Sequence, residues 1–158
     1  MRPGLMVSLL LLALPALALP VIPQGYLLVV GGIGGEDYYR QLFHRRALTL
    51  LDVARQQLGV PEQNITYLAE TPEDDPAIID GPSRKERVLA ALARLAQRSS
   101  PNDRILVVLI GHGTFGPGGI LFNLPGPDLS AGELAVALKA LAGRQLAVIN
   151  TAPASAPF

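Results

Sequence analysis

The chain has 158 residues, 49% of them hydrophobic, and its 13 basic and 13 acidic side chains leave no net charge. That size allows one domain with a real core, and the balanced charge, without a basic block or stacked aromatics, argues against nucleic acid as a partner. The absence of cysteine excludes disulfides, thiolate metal sites and any thiol nucleophile within these residues, and two histidines are too few for an all-protein zinc site.

Met1 to Ala18 carries Arg2, then an apolar run from Leu5 to Leu14, then Ala16-Leu17-Ala18. This is the charged, apolar and small-x-small order of a secretory signal. Residues 1–18 are therefore expected to be cleaved off after Ala18 and the protein to be secreted or periplasmic. The run is shorter than the roughly 18 residues a membrane span needs, and Pro15 and Pro20 interrupt it. No stable span is expected after cleavage; left uncleaved, the segment would be an anchor. Residues 19–25 form a Pro-rich lead-in.

Tyr26 to Val30 is an apolar run that reads as a strand buried on both faces, and Gly31-Gly32-Ile33-Gly34-Gly35 closes it. The glycines do not match a dinucleotide fingerprint: from Gly32 the G-x-G-x-x-G spacing would need glycine where Asp37 stands. They are expected to turn the loop tightly beside a site. A long helix follows from Asp37 to about Leu58, with Phe43, Ala47, Leu50, Leu51, Ala54 and Leu58 on one face. His44 falls beside that face, as a surface or boundary residue. Gly59 sits where a left-handed cap belongs, and Pro61 prevents continuation.

Ile65 to Ala69 reads as a second strand. Asn64-Ile65-Thr66 matches an N-glycosylation acceptor, usable only in a eukaryotic host. Residues 70–82 are acidic and Pro-rich, hence a loop. Ser83 with Glu86 predicts a capping box for a helix reaching Arg98, with Leu89, Leu92, Ala93 and Ala96 as its core face.

Arg104 to Ile110 is the most apolar strand, and it runs into Gly111-His112-Gly113. Imidazole is the side chain whose ordinary pKa lies nearest neutrality, so a histidine at a strand's tip is placed to move protons. The flanking glycines leave the backbone bare for a ligand and expose an amide as a donor. Ile120-Leu121-Phe122 reads as a short strand or hairpin arm. Ser130 and Glu133 predict a second capping box, starting a helix that Gly143 ends, and Leu146 to Asn150 reads as a fourth buried strand. Strands alternating with helices specify an α/β fold with a parallel sheet covered on both faces. In such sheets the site lies beyond the carboxyl ends of the strands. That selects the loops 31–39, 111–119 and 150–158.

Those loops, in that order, resemble the legumain-like cysteine peptidases within the wider caspase-like fold. The resemblance begins at Tyr26-Leu27-Leu28-Val29-Val30-Gly31 and continues through Asp37-Tyr38-Tyr39-Arg40-Gln41. It takes in the helix-end turn Leu58-Gly59-Val60-Pro61, then Asp103 to Gly113, then the strand Leu146 to Asn150. It implies a three-layer α/β sandwich with a mostly parallel sheet and a chemistry directed at peptide bonds, with no cofactor or metal. The family's general acid/base histidine falls on His112, and the oxyanion-hole amide that follows it falls on Gly113. Its pocket arginine falls on Arg40 and the adjacent pocket histidine on Gln41. Its histidine-orienting asparagine falls on Tyr38, a departure.

Aligned on the end of the fourth strand, the pocket glutamate falls on Asn150 and the catalytic cysteine on Ala152. A methyl group cannot attack a carbonyl, so His112 has nothing to activate. The expectation is a peptidase homologue that keeps its cleft, lacks its nucleophile, and serves as a peptide-binding or regulatory module. The alternative is an active exported hydrolase that uses Ser155, or residues after Phe158. Ser155 lacks the G-x-S-x-G surroundings of a strained nucleophile elbow. A third reading is a plain α/β scaffold in which His112 is structural. The family fold continues beyond this point with further strands, so the domain at 26–158 is expected to be incomplete at its C-terminus.

Overall fold

The computed structural model describes residues 22–116, 119–153 and 158. The signal expected at 1–18, the start of the lead-in and Ser155 lie outside the described residues. Five parallel strands make the main sheet: β1 (Gly25–Gly31), β2 (Ile65–Ala69), β3 (Gly81–Pro82), β4 (Arg104–Ile110) and, numbered last, β8 (Gln145–Asn150). Their order is β3-β2-β1-β4-β8. The chain thus leaves β1 in one direction to reach β2, then returns across β1 to reach β4. The switch point lies between the tips of β1 and β4, where the register pairs Gly31 with Ile110.

Helices cover the two faces. On one face α1 (Asp37–Gln56) packs Phe43, Ala47, Leu51 and Ala54 onto Leu27, Val29, Tyr67, Val108 and Ile110. On the other, α2 (Lys85–Arg98) and α3 (Ala131–Leu138) cover Leu28, Val30, Val107 and Leu109, all fully buried. The fold is therefore α/β, a three-layer sandwich, as the strand and helix alternation predicts. Burying each such Leu or Val contributes about 1.5–3 kcal/mol, so the double-faced strands β1 and β4 hold the core together.

Several expectations change in detail. The buried side of α2 is Val88, Ala91, Leu92 and Leu95, with Leu89 and Ala96 half-buried and Ala93 exposed. Ser83 does not cap α2: its amide donates to the Ala69 carbonyl, extending the short β2–β3 pairing, and the N-cap is Arg84 without a side-chain bond. The second capping box forms as predicted, with Ser130 Oγ accepting from the Glu133 amide and the Glu133 carboxylate accepting from the Ser130 amide. β8 is not buried on both faces. Leu146 and Val148 reach the core on the α2/α3 side, while Ala147 and Ile149 on the opposite face are exposed. The region after β4 holds more strand than expected: β5 (Gly113–Gly116), β6 (Gly119–Phe122) and β7 (Leu129–Ser130) make a small antiparallel sheet.

The outer edge of β2 is protected by its own neighbours. The Ile65 amide donates to the Glu62 carbonyl, and the Tyr67 amide to an Asp80 carboxylate oxygen at 2.7 Å. Asn64 is buried, and its side-chain amide donates to Gln24 Oε1 and the Gly25 carbonyl. The nitrogen that glycosylation would modify is thus enclosed in the fold. Among the described residues, no helix is long and apolar enough to cross a membrane.

Candidate functional site

The tips of β1 and β4 are pressed against the end of β6, and glycine makes that approach possible. A side-chain carbon at Gly32 would stand 2.6 Å from the Asn123 carbonyl, and one at Gly111 would stand 2.9 Å from the Phe122 ring. The Gly32 amide instead donates to the Ile110 carbonyl, and the Asn123 amide donates to the carbonyl of His112. His112 therefore has a fixed backbone at the switch point, just after β4.

Its ring is held by aromatic edges. Tyr39 and Phe43, one helical turn apart on α1, meet the imidazole edge to face at centroid distances of 4.7 and 5.1 Å. No side-chain hydrogen bond to either ring nitrogen is present among the described residues. Tyr38 is exposed, and its neighbour Tyr39 makes the contact with His112.

The exit from β8 comes alongside. A side-chain carbon at Gly113 would lie 2.6 Å from the Pro153 carbonyl and 3.4 Å from the Ala152 methyl. The structure thus brings His112-Gly113 and Ala152 together at the carboxyl ends of adjacent strands. Ala152 is buried, and its amide donates to Asn150 Oδ1 at 3.0 Å. The Asn150 Nδ2 and Asn123 Oδ1 atoms are buried without a hydrogen-bond partner among the described residues. They leave one amide donor and one amide acceptor uncommitted beside the switch point. Thr151 is no nucleophile here, because its amide and its hydroxyl both donate to the Leu109 carbonyl.

Arg40 stands in a neighbouring pocket. Its Nη1 lies 3.0 Å from Asp37 and its Nε 2.9 Å from Asp74, so two carboxylates already neutralise it. With Phe43, His44, Tyr67, Glu70 and Asp74 it lines a cavity of about 20 Å³, the size of a single water site. His44 is the boundary residue expected, its Nδ1 3.2 Å from the Tyr67 hydroxyl and its Nε2 3.6 Å from Asp75. Burial, together with Asp75 and Asp74, raises the Tyr67 phenol above its ordinary pKa of 10.0. Glu70 accepts from the Gly34 amide at 2.8 Å, tying the glycine loop to the end of β2. Gln41 is exposed on α1 and makes no side-chain hydrogen bond among the described residues.

The sequence singles out His112, Gly113, Ala152 and Arg40; the structure adds Tyr39, Phe43, Asn123 and Asp74 as their neighbours, a relation the sequence does not mark. For the pair at 39 and 43 it carries only their spacing of four on the helix that follows the glycine loop. Among the described residues, no group of three or more His, Asp or Glu side chains could hold a metal ion. No family model matches the chain, and no curated protein matches it.

Proposed function

We propose that the protein is an exported homologue of the legumain-like peptidases that has lost its nucleophile and binds a peptide at the carboxyl end of its sheet. The observation that carries this reading is that His112-Gly113 and Ala152 follow the ends of the paired strands β4 and β8, with so little room between Gly113 and Ala152 that a side-chain carbon at Gly113 would stand 3.4 Å from the Ala152 methyl. A peptidase of the cysteine type needs a histidine, an oxyanion amide and a thiol at such a place. Two of the three groups are here, and the third position holds a methyl.

The unpartnered atoms of Asn150 and Asn123 suit a peptide's backbone, one offering a donor and the other an acceptor. Arg40 suits a carboxylate or amide side chain, which would compete with Asp74 for the guanidinium. The ligand is thus a peptide or protein segment, held without turnover.

The test is incubation of the chain from Leu19 onward with fluorogenic peptides ending in Asn or Asp. The expected result is saturable binding, weakened by Arg40→Ala, with no release of fluorophore. Cleavage that survives iodoacetamide and vanishes on His112→Ala would overturn the reading in favour of an active hydrolase.

A further inference from the structure

A groove of about 720 Å³ runs along the outer edge of β2, between α1 and α2. Its volume is within the range of ligand sites, roughly 300–1,000 Å³, and none of its lining residues belongs to the cleft around His112. Four guanidiniums face it, Arg55, Arg87, Arg94 and Arg98, against the carboxylates of Glu62 and Asp80. In a chain of zero net charge, that is a local concentration of positive charge.

The committed groups can be separated from the uncommitted ones. Arg55 holds Glu62 in a two-pronged ion pair, with Nε and Nη2 at 2.6 and 2.7 Å from its oxygens. This pair keeps the Glu62 carboxyl below its ordinary pKa. Asp80 accepts from the Tyr67 amide, and Arg98 donates to Asn64 Oδ1. Arg87 and Arg94 are exposed and have neither an ion pair nor a side-chain hydrogen bond among the described residues. Between the rims the exposed Ala77 and half-buried Ile78 offer an aliphatic floor over the buried Leu51 and Ile65.

We infer that this groove binds an extended acidic peptide segment, whose carboxylates meet Arg87, Arg94 and Arg98 while an apolar side chain rests on the floor. Arg94 and Arg98 are one turn apart, about 6 Å along the helix axis, and Arg87 lies about 10 Å before Arg94. Same-face side chains of an extended peptide repeat about every 7 Å, so alternate acidic residues can reach successive arginines. A nucleic acid fits less well, because the groove has no aromatic lining and its two carboxylates would repel a continuous phosphate backbone. Both outward β2 amides within the groove are already bonded, so the peptide is held by side chains rather than as an added strand. This inference is independent of the nucleophile-free cleft.

The test is fluorescence anisotropy of a short labelled peptide alternating glutamate and leucine, titrated with the whole chain. Binding should saturate and weaken as salt is raised. The double variant R87E/R94E, at two exposed positions without partners, should fold normally by circular dichroism and bind at least about tenfold more weakly. Ile78→Ser should weaken binding by roughly threefold or more. No saturable binding, or equal binding by R87E/R94E, would overturn the inference. So would equally tight binding of inorganic tripolyphosphate with no effect of Ile78→Ser, which identifies a bare anion site. Loss of the peptide on Arg40→Ala would place it in the other cleft and likewise overturn it.

Discussion

His112 and Arg40 lie on either side of Phe43 and differ in everything polar around them. The His112 ring meets the rings of Tyr39 and Phe43 and is flanked in the chain by Gly111 and Gly113, and among the described residues it makes no ion pair. Around Arg40 stand the titratable side chains of His44, Tyr67, Glu70 and Asp74, and Asp37 and Asp74 have already answered its charge. In the proposed peptide cleft the contrast would separate two tasks. Uncharged surroundings at His112 suit a neutral backbone carbonyl. The charged pocket admits a carboxylate only by exchange, with an internal acid giving way.

The shared wall is the place where the contrast breaks most completely. Phe43 is buried and contacts Tyr39, His112 and the α1 core. Phe43→Ala should cost about 3–5 kcal/mol, read from urea unfolding, and should remove the ring that stands between His112 and the Arg40 cavity. A loss below about 1 kcal/mol would mean that Phe43 is not what divides them.

A smaller effect isolates the exchange at Arg40. Asp74→Asn removes one internal competitor, so affinity for a peptide ending in Asp should rise about tenfold, near 1.4 kcal/mol. Folding stability should fall by less than about 1 kcal/mol, because the pair is half-exposed. Unchanged affinity would show that the guanidinium does not meet the peptide.

The smallest effect is a pH dependence confined to the charged pocket. The Tyr67 phenol is raised above 10.0 in the folded chain, first by burial and then by Asp75 and Asp74. The unfolded chain therefore loses this proton first as pH rises, and stability should fall above about pH 10. Tyr67→Phe should flatten that fall in unfolding midpoints measured between about pH 9 and 11. A fall of equal steepness in the variant would assign it to other groups.

Much of this architecture was legible because its signals are local. β1 and β4 read as strands because both faces are buried, so nearly every residue is apolar. α1 showed its core stripe at helical spacing, and Ser130 with Glu133 announced a cap that forms within four residues. What failed depended on partners distant in sequence. β8 is as apolar as its neighbours, yet no helix covers Ala147 and Ile149, and nothing within the strand encodes that gap. Ser83 has the right spacing for a cap, but β2 claims its amide. α2 carries apolar residues on more than one side, so its buried stripe was assigned partly to Leu89 and Ala93 instead of Val88 and Leu95.

The candidate site divides in the same way. His112, Gly113 and Ala152 follow from strand ends, which the sequence marks with glycine and an abrupt change of composition. The rings that hold His112 look like core residues, and the ion pair between Arg40 and Asp74 joins a helix to a loop two elements later. Only packing brings those together.

The most direct measurement of the central claim is the pH dependence of iodoacetamide alkylation in Ala152→Cys, with and without His112→Ala. If position 152 is the nucleophile's place, as proposed, a thiol there should react with a midpoint below the ordinary value of about 8.5, and His112→Ala should return the midpoint to that value or above it. Thiol-dependent cleavage of peptides ending in Asn or Asp should accompany the shift. A midpoint at or above about 8.5 that ignores His112 would contradict the account, because Ala152 would then be an ordinary buried alanine.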